Sequence, residues 1–112
     1  SKINQIVISG DYIFLADTNN KLYCIEKKKG EIIWVVQLKK NFKKQALSWV
    51  GPILSSYKLI LASSEGKIIS LSPYDGKVIS ISDEKAPITI SPIHSSTSIY
   101  FLTEDGELIS YK

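Results

Sequence analysis

The chain has 112 residues, a hydrophobic content of 44%, a charged content of 22% and a formal net charge of +3. That suits one domain with a modest core, and it excludes a disordered chain and any helix near the roughly 20 apolar residues that cross a membrane. All fourteen basic residues are Lys and a single Cys is present, which argues against specific nucleic-acid recognition and rules out an intrachain disulfide or a Cys-based metal cluster.

Along the chain, the first segments are "IVISG" (Ile6–Gly10) and "YIFLA" (Tyr12–Ala16), followed by "KLYCIE" (Lys21–Glu26) and "IIWVVQL" (Ile32–Leu38). Each is short, β-branched or aromatic, and bounded by Gly, Asn or Asp, which is the signature of strands joined by hairpins. A basic stretch, "KKNFKK" (Lys39–Lys44), then occupies a connection over residues 39–51. Lys39–Leu47 is the one helix candidate, and its apolar pattern is too poor to support one. Strands resume with "PILSS" (Pro52–Ser56), "KLILA" (Lys58–Ala62), "KIISL" (Lys67–Leu71) and "KVISI" (Lys77–Ile81). The last segments are "PIHSS" (Pro92–Ser96), "IYFL" (Ile99–Leu102) and "ELISYK" (Glu107–Lys112).

These segments repeat. Ala16, Ala62 and Leu102 fall in one column, and Asn20, Gly66 and Gly106 then align, as do Leu22, Ile68 and Leu108, and Cys24, Ser70 and Ser110. The units are residues 6–38, 52–82 and 92–112. Glu65-Gly66 and Asp105-Gly106 suit two-residue turns, with Asn19-Asn20 in the same role, and Asp75-Gly76 turns a third strand into a fourth. The second segment of each unit is apolar at every position, which implies a sheet covered on both faces. Four-stranded antiparallel sheets of this length, stacked face to face, are propeller blades. The expected architecture is all-β: about two and three-quarter blades of a β-propeller, the last without its fourth strand.

"KLYCIEKKKGEIIWVVQL" (Lys21–Leu38) resembles the pyrroloquinoline-quinone-type (PQQ-like) repeat through Leu22-Tyr23, Gly30 and Trp34. Cys24, Glu26 and Lys29 depart from the residues that repeat prefers, and Ser80 replaces its Trp in the second unit. From Leu47 to Lys112, "SWVGPILSS", the turn around Gly66 and the closing "FLTEDGELISYK" resemble the C-terminal part of BamB-type proteins of α-proteobacteria. That resemblance implies an eight-bladed propeller acting as a periplasmic, outer-membrane-associated scaffold in β-barrel assembly, with a BamA-like protein partner and no cofactor. It also implies that this chain is a C-terminal piece whose last blade borrows its missing strand, although no leader is visible here. Open blade faces and edges would then favour self-association.

No catalytic set is expected. His94 has no Ser, Cys or carboxylate pattern around it, and it belongs to the strand that lines a propeller's channel. Cys24 reads as a small packing residue, and Trp34 as the indole that packs between adjacent blades. Trp49 enters a new blade and also reads as structural. Asp11, Asp17, Asp75 and Asp105 are turn residues that match no calcium loop. The surface candidate is Lys39, Lys40, Phe42, Lys43 and Lys44. Its plainest reading is a solvated loop; read as a surface, it would meet an acidic partner or anionic head groups and lie near a membrane. The alternative function, a fragment of a quinone-dependent dehydrogenase or another PQQ-repeat sensor propeller, would need Arg, acidic metal ligands and paired Cys from elsewhere.

Overall fold

The computed structural model describes residues 3–89, 92–95 and 98–111. Ser96 and Lys112, which belong to the third repeat, lie outside the described residues. Strands β1 (Ile3–Ser9), β2 (Tyr12–Asp17), β3 (Lys21–Glu26) and β4 (Ile32–Gln37) form one antiparallel meander. A two-stranded ribbon follows, β5 (Asn41–Phe42) with β6 (Gln45–Ala46), in the stretch that offered the one helix candidate. A second four-stranded meander runs through β7 (Trp49–Ser55), β8 (Lys58–Ser63), β9 (Lys67–Leu71) and β10 (Val78–Asp83). The third sheet has β11 (Ile93–His94), β12 (Ile99–Leu102) and β13 (Leu108–Tyr111). No helix occurs among the described residues.

Alternation along β8 explains the stacking. Leu59 and Leu61 join a cluster with Phe14, Ala16, Leu22 and Cys24 of the first sheet. Ile60 and Ala62 point the other way, into a cluster with Ile99 and Phe101 of the third sheet and Ile88 of the connection. β8 is therefore buried on both faces, as its unbroken apolar sequence requires. The outer two sheets differ from that expectation. β2 and β12 alternate between buried and part-exposed positions, because each of their sheets has a neighbour on one side only.

The uncovered face of the first sheet is itself apolar. Register places Ile6, Leu15, Tyr23 and Val35 in one row across its four strands, and Ile8, Ile13, Ile25 and Ile32 in the next. Ile8 is 63% exposed and Ile32 58%, values far above those of a covered blade face.

The three repeats share one polar device. Residue Asp17, Ser63 or Thr103, each buried, stands at the end of the second strand. Its side-chain oxygen accepts the backbone N–H four residues on, from Lys21 at 2.9 Å, Lys67 at 3.1 Å and Glu107 at 2.9 Å. Its carbonyl accepts the N–H of Asn20, Gly66 or Gly106 at 3.0–3.1 Å, and all three of those residues have positive φ. The turns are thus three-residue loops with a left-handed last residue, where sequence spacing suggested two-residue turns. The extra residue fits because the oxygen of the preceding side chain takes the N–H that the ladder leaves free.

Candidate functional site

The five basic-loop residues are brought together on the β5–β6 ribbon. Lys43 and Lys44 form its tip, with φ of +49° and +65°. Lys40, Lys43 and Lys44 are exposed, and Phe42 is 38% exposed. The ammonium groups of Lys39 and Lys43 lie 4.9 and 5.2 Å from the centroid of the Phe42 ring, within the range where a cation is attracted to an aromatic face. Lys39 Nζ also sits 3.7 Å from Glu65 Oε1, whose side chain is almost buried.

The base of the ribbon is fixed by groups from both neighbouring sheets. Leu47 N–H donates to Lys40 O at 2.7 Å. The Asn20 amide donates to Leu47 O at 2.9 Å and to Lys39 O at 3.3 Å, and Trp49 Nε1–H donates to the same Lys39 carbonyl at 2.9 Å. Sequence reading treated Asn20 only as a turn residue and Trp49 only as a strand entry; it missed that both hold this ribbon, as it missed Glu65. Carbonyl acceptors are invisible in a side-chain pattern, so no sequence signal pointed to them.

Trp34 packs between the first two sheets. Its Nε1–H donates to Pro73 O at 2.9 Å, and its ring lies 6.2 Å from that of Phe14. The ring closes directly over Gly76, where a Cβ would meet Trp34 and Val36 atoms at 2.6–2.9 Å. Cys24 is opposite both Phe14 and Trp34 on the same face. It is buried, and that burial raises its thiol pKa. Near it, Tyr12, Tyr57 and Tyr74 rim a cleft of about 340 Å³ floored by Phe14 and Cys24. Tyr57, in a left-handed turn conformation, and Tyr74 are 83% and 78% exposed; this aromatic rim was also missed. Desolvation, then the hydrogen bond from Tyr23 Oη to Asp17 Oδ2 at 3.1 Å and the charge of that carboxylate, raise the Tyr23 pKa.

His94 is exposed on β11, opposite Ile99. No group of three or more His, Cys, Asp and Glu with metal-ligand geometry occurs among the described residues. These surfaces offer apolar contact, charge and exposed hydroxyls.

Consecutive meanders that share apolar faces, with an indole docked at one junction, define a partial β-propeller of PQQ-like repeats. The chain belongs to the outer membrane protein assembly factor BamB family, whose profile matches residues 2–112. It is similar to the outer membrane protein assembly factor BamB of Legionella pneumophila (strain Paris), with 24% identity over 108 residues, 96% of this chain and 27% of that one. Among solved structures it is similar to BamB from Moraxella catarrhalis, with a TM-score of 0.69, 16% identity, and coverage of 95% of this chain and 32% of that one. It is also similar to the quinohemoprotein alcohol dehydrogenase from Comamonas testosteroni, with a TM-score of 0.64, 13% identity, and coverage of 87% and 16%. At those identities the structural likenesses are likenesses of fold. The chain spans about a quarter of the length of the relatives it matches in sequence.

Proposed function

We propose that the chain forms blades of a non-catalytic, protein-binding scaffold that serves assembly of outer-membrane β-barrels from the periplasmic side. Membership of the BamB family over residues 2–112 carries this reading. Stacked blades suit the role, because a rigid frame holds loops and sheet edges in fixed positions for partners. The partner is a BamA-like barrel protein, with the ribbon bearing Lys39, Lys40, Phe42, Lys43 and Lys44 as one contact surface. The test is capture of the BamA-like protein by the full chain, together with the content of outer-membrane barrels in a deletion strain. Absence of capture with unchanged barrel content would overturn the proposal.

The apolar rows on the open face of the first sheet support self-association of the 112-residue chain, since a second copy would cover them. Light scattering that shows a monomer at all concentrations would remove that part. The fold likeness to a quinohemoprotein alcohol dehydrogenase favours the second reading, a fragment of a quinone-dependent dehydrogenase or sensor propeller. Dye-linked alcohol oxidation by the full chain supplied with the quinone would establish it.

A further inference from the structure

The β5–β6 ribbon has the wrong residues for its own turn. Two consecutive left-handed residues at a hairpin tip call for Asn-Gly or Asp-Gly, because a Cβ in that region is strained. Here both positions are Lys, at φ +49° and +65°. The strain persists because the base is over-determined: the Asn20 amide holds Lys39 and Leu47 on the two sides of the ribbon, and the Trp49 indole and Glu65 also hold Lys39. Strained residues kept in place by their surroundings concentrate where a surface has work to perform. Both Lys are exposed, and Lys43 also lies over the Phe42 ring.

We propose that the tip formed by Lys43 and Lys44 is a preformed docking point for an acidic protein segment, a run of Asp and Glu side chains on a partner. Lys43-Lys44 is retained there for binding at a cost in stability. This rests on the scaffold reading and names the chemistry of one of its contacts. Two observations favour a protein segment over an anionic bilayer. Membrane-surface docking combines positive charge with apolar insertion, yet the Phe42 ring is occupied by the ammonium groups of Lys39 and Lys43. Behind the tip, Phe42, Gln45, Glu65, Pro87, Thr89 and Glu104 line a cleft of about 340 Å³. The Glu104 carboxylate there disfavours a broad anionic surface, whereas a narrow acidic segment can meet the tip alone.

The deciding variant is the double substitution Lys43→Asn with Lys44→Gly in the full chain, which removes two charges and relaxes the turn. Fluorescence anisotropy with a labelled deca-glutamate peptide should show binding about tenfold weaker, the loss of two exposed charge pairs, and a flatter salt dependence. The same variant should melt about 4 °C higher, because the new residues fit the turn. Lys43→Arg with Lys44→Arg keeps charge and strain and should bind like the parent. Equal peptide binding by the Asn-Gly variant overturns the docking point. An unchanged or lower melting temperature overturns the trade of stability for binding. Preference of the parent for phosphatidylglycerol vesicles over the peptide overturns the acidic-protein assignment. If the Asn-Gly variant still captures the BamA-like partner while losing the peptide, this inference stands and that contact lies elsewhere. If the parent captures no barrel partner but binds the peptide, the scaffold reading falls alone.

Discussion

The two junctions between blades are built from the same repeat and solved differently. At the first, Trp34 reaches from β4 to the Pro73 carbonyl and covers Gly76, with Phe14 and Cys24 beneath it. At the second, the equivalent of Trp34 is Ser80, the equivalent of Cys24 is Ser70, and the two hydroxyls lie 2.6 Å apart. Ser80 Oγ is also 3.3 Å from the Tyr111 hydroxyl of the third sheet, and Tyr111 stands edge-on to Phe101. One junction is an aromatic weld and the other a chain of hydroxyls.

The connections differ in the same way. After β4 and after β10 the chain makes the same first bond: Leu38 N–H to Asn20 O at 2.7 Å, and Glu84 N–H to Gly66 O at 2.8 Å. The second connection then crosses directly over Gly66, where a Cβ would lie 2.7 Å from Ala86 O and 2.8 Å from its N. The first swings outward into the β5–β6 ribbon and leaves room for the Asn20 side chain, which ties the ribbon down. A left-handed Asn is therefore tolerated at one junction and excluded at the other. The lesson is that connection path, not turn type, decides which residue the column can hold.

The largest effect should come from imposing a side chain at the second junction. Gly66→Ala places a Cβ against backbone in a left-handed conformation, and should cost about 4 kcal/mol from strain and overpacking together. Urea denaturation would measure it. Gly106→Ala is the internal control: it has the same sign of φ and nothing within 4 Å, so it should cost only about 1–2 kcal/mol. Similar losses for the two would mean that the close connection does not distinguish Gly66. Next comes Trp34→Ala at the first junction, about 3 kcal/mol for a part-buried indole, read in the same titration.

Much of this contrast was legible in the sequence, and its limits have physical causes. The repeat columns gave the strands, because side-chain periodicity and turn residues are local properties. Continuous apolar runs indicated stacked sheets, and in β8 that holds at every position from Leu59 to Ser63. In β2 it holds on one face, since a sequence records what a strand can cover and not whether a neighbour is there. Trp34 was legible as a packing indole through its motif, but its Pro73 acceptor is a main-chain atom with no letter of its own. The basic cluster was visible, whereas its ribbon was not. Lys-Lys is a poor hairpin turn, and it forms one here because Asn20 and Trp49, far apart in the chain, hold its base.

A smaller effect separates the hydroxyl junction from the aromatic one. Ser80→Ala removes the shared partner of Ser70, which is fully buried, and should cost about 1–2 kcal/mol for a hydroxyl left without its bond. Ser80→Thr, which keeps the hydroxyl, should recover part of that loss. An Ala variant as stable as the parent would show that apolar contacts alone, through Ile60, Ile68 and Phe101, hold the third sheet.

The smallest expected change belongs to Cys24, and it reports on the first junction from inside. Burial raises its thiol pKa, so the folded state favours the neutral thiol. The sign follows from linkage: stability from this group is complete below the unfolded thiol value of about 8.5, and it declines as pH rises above that toward the higher folded value. Comparison of urea midpoints at pH 7.5 and 9.5 should therefore show a drop in the parent that is smaller in Cys24→Ala. The same burial makes alkylation depend on opening of the junction. Iodoacetamide should label Cys24 far faster in Trp34→Ala than in the parent, while Ser80→Ala should label at the parent rate, because its defect lies on the other face of the second sheet. Fast labelling in the Ser80 variant would mean that the two junctions open together, and that the weld and the hydroxyl chain are parts of one cooperative unit.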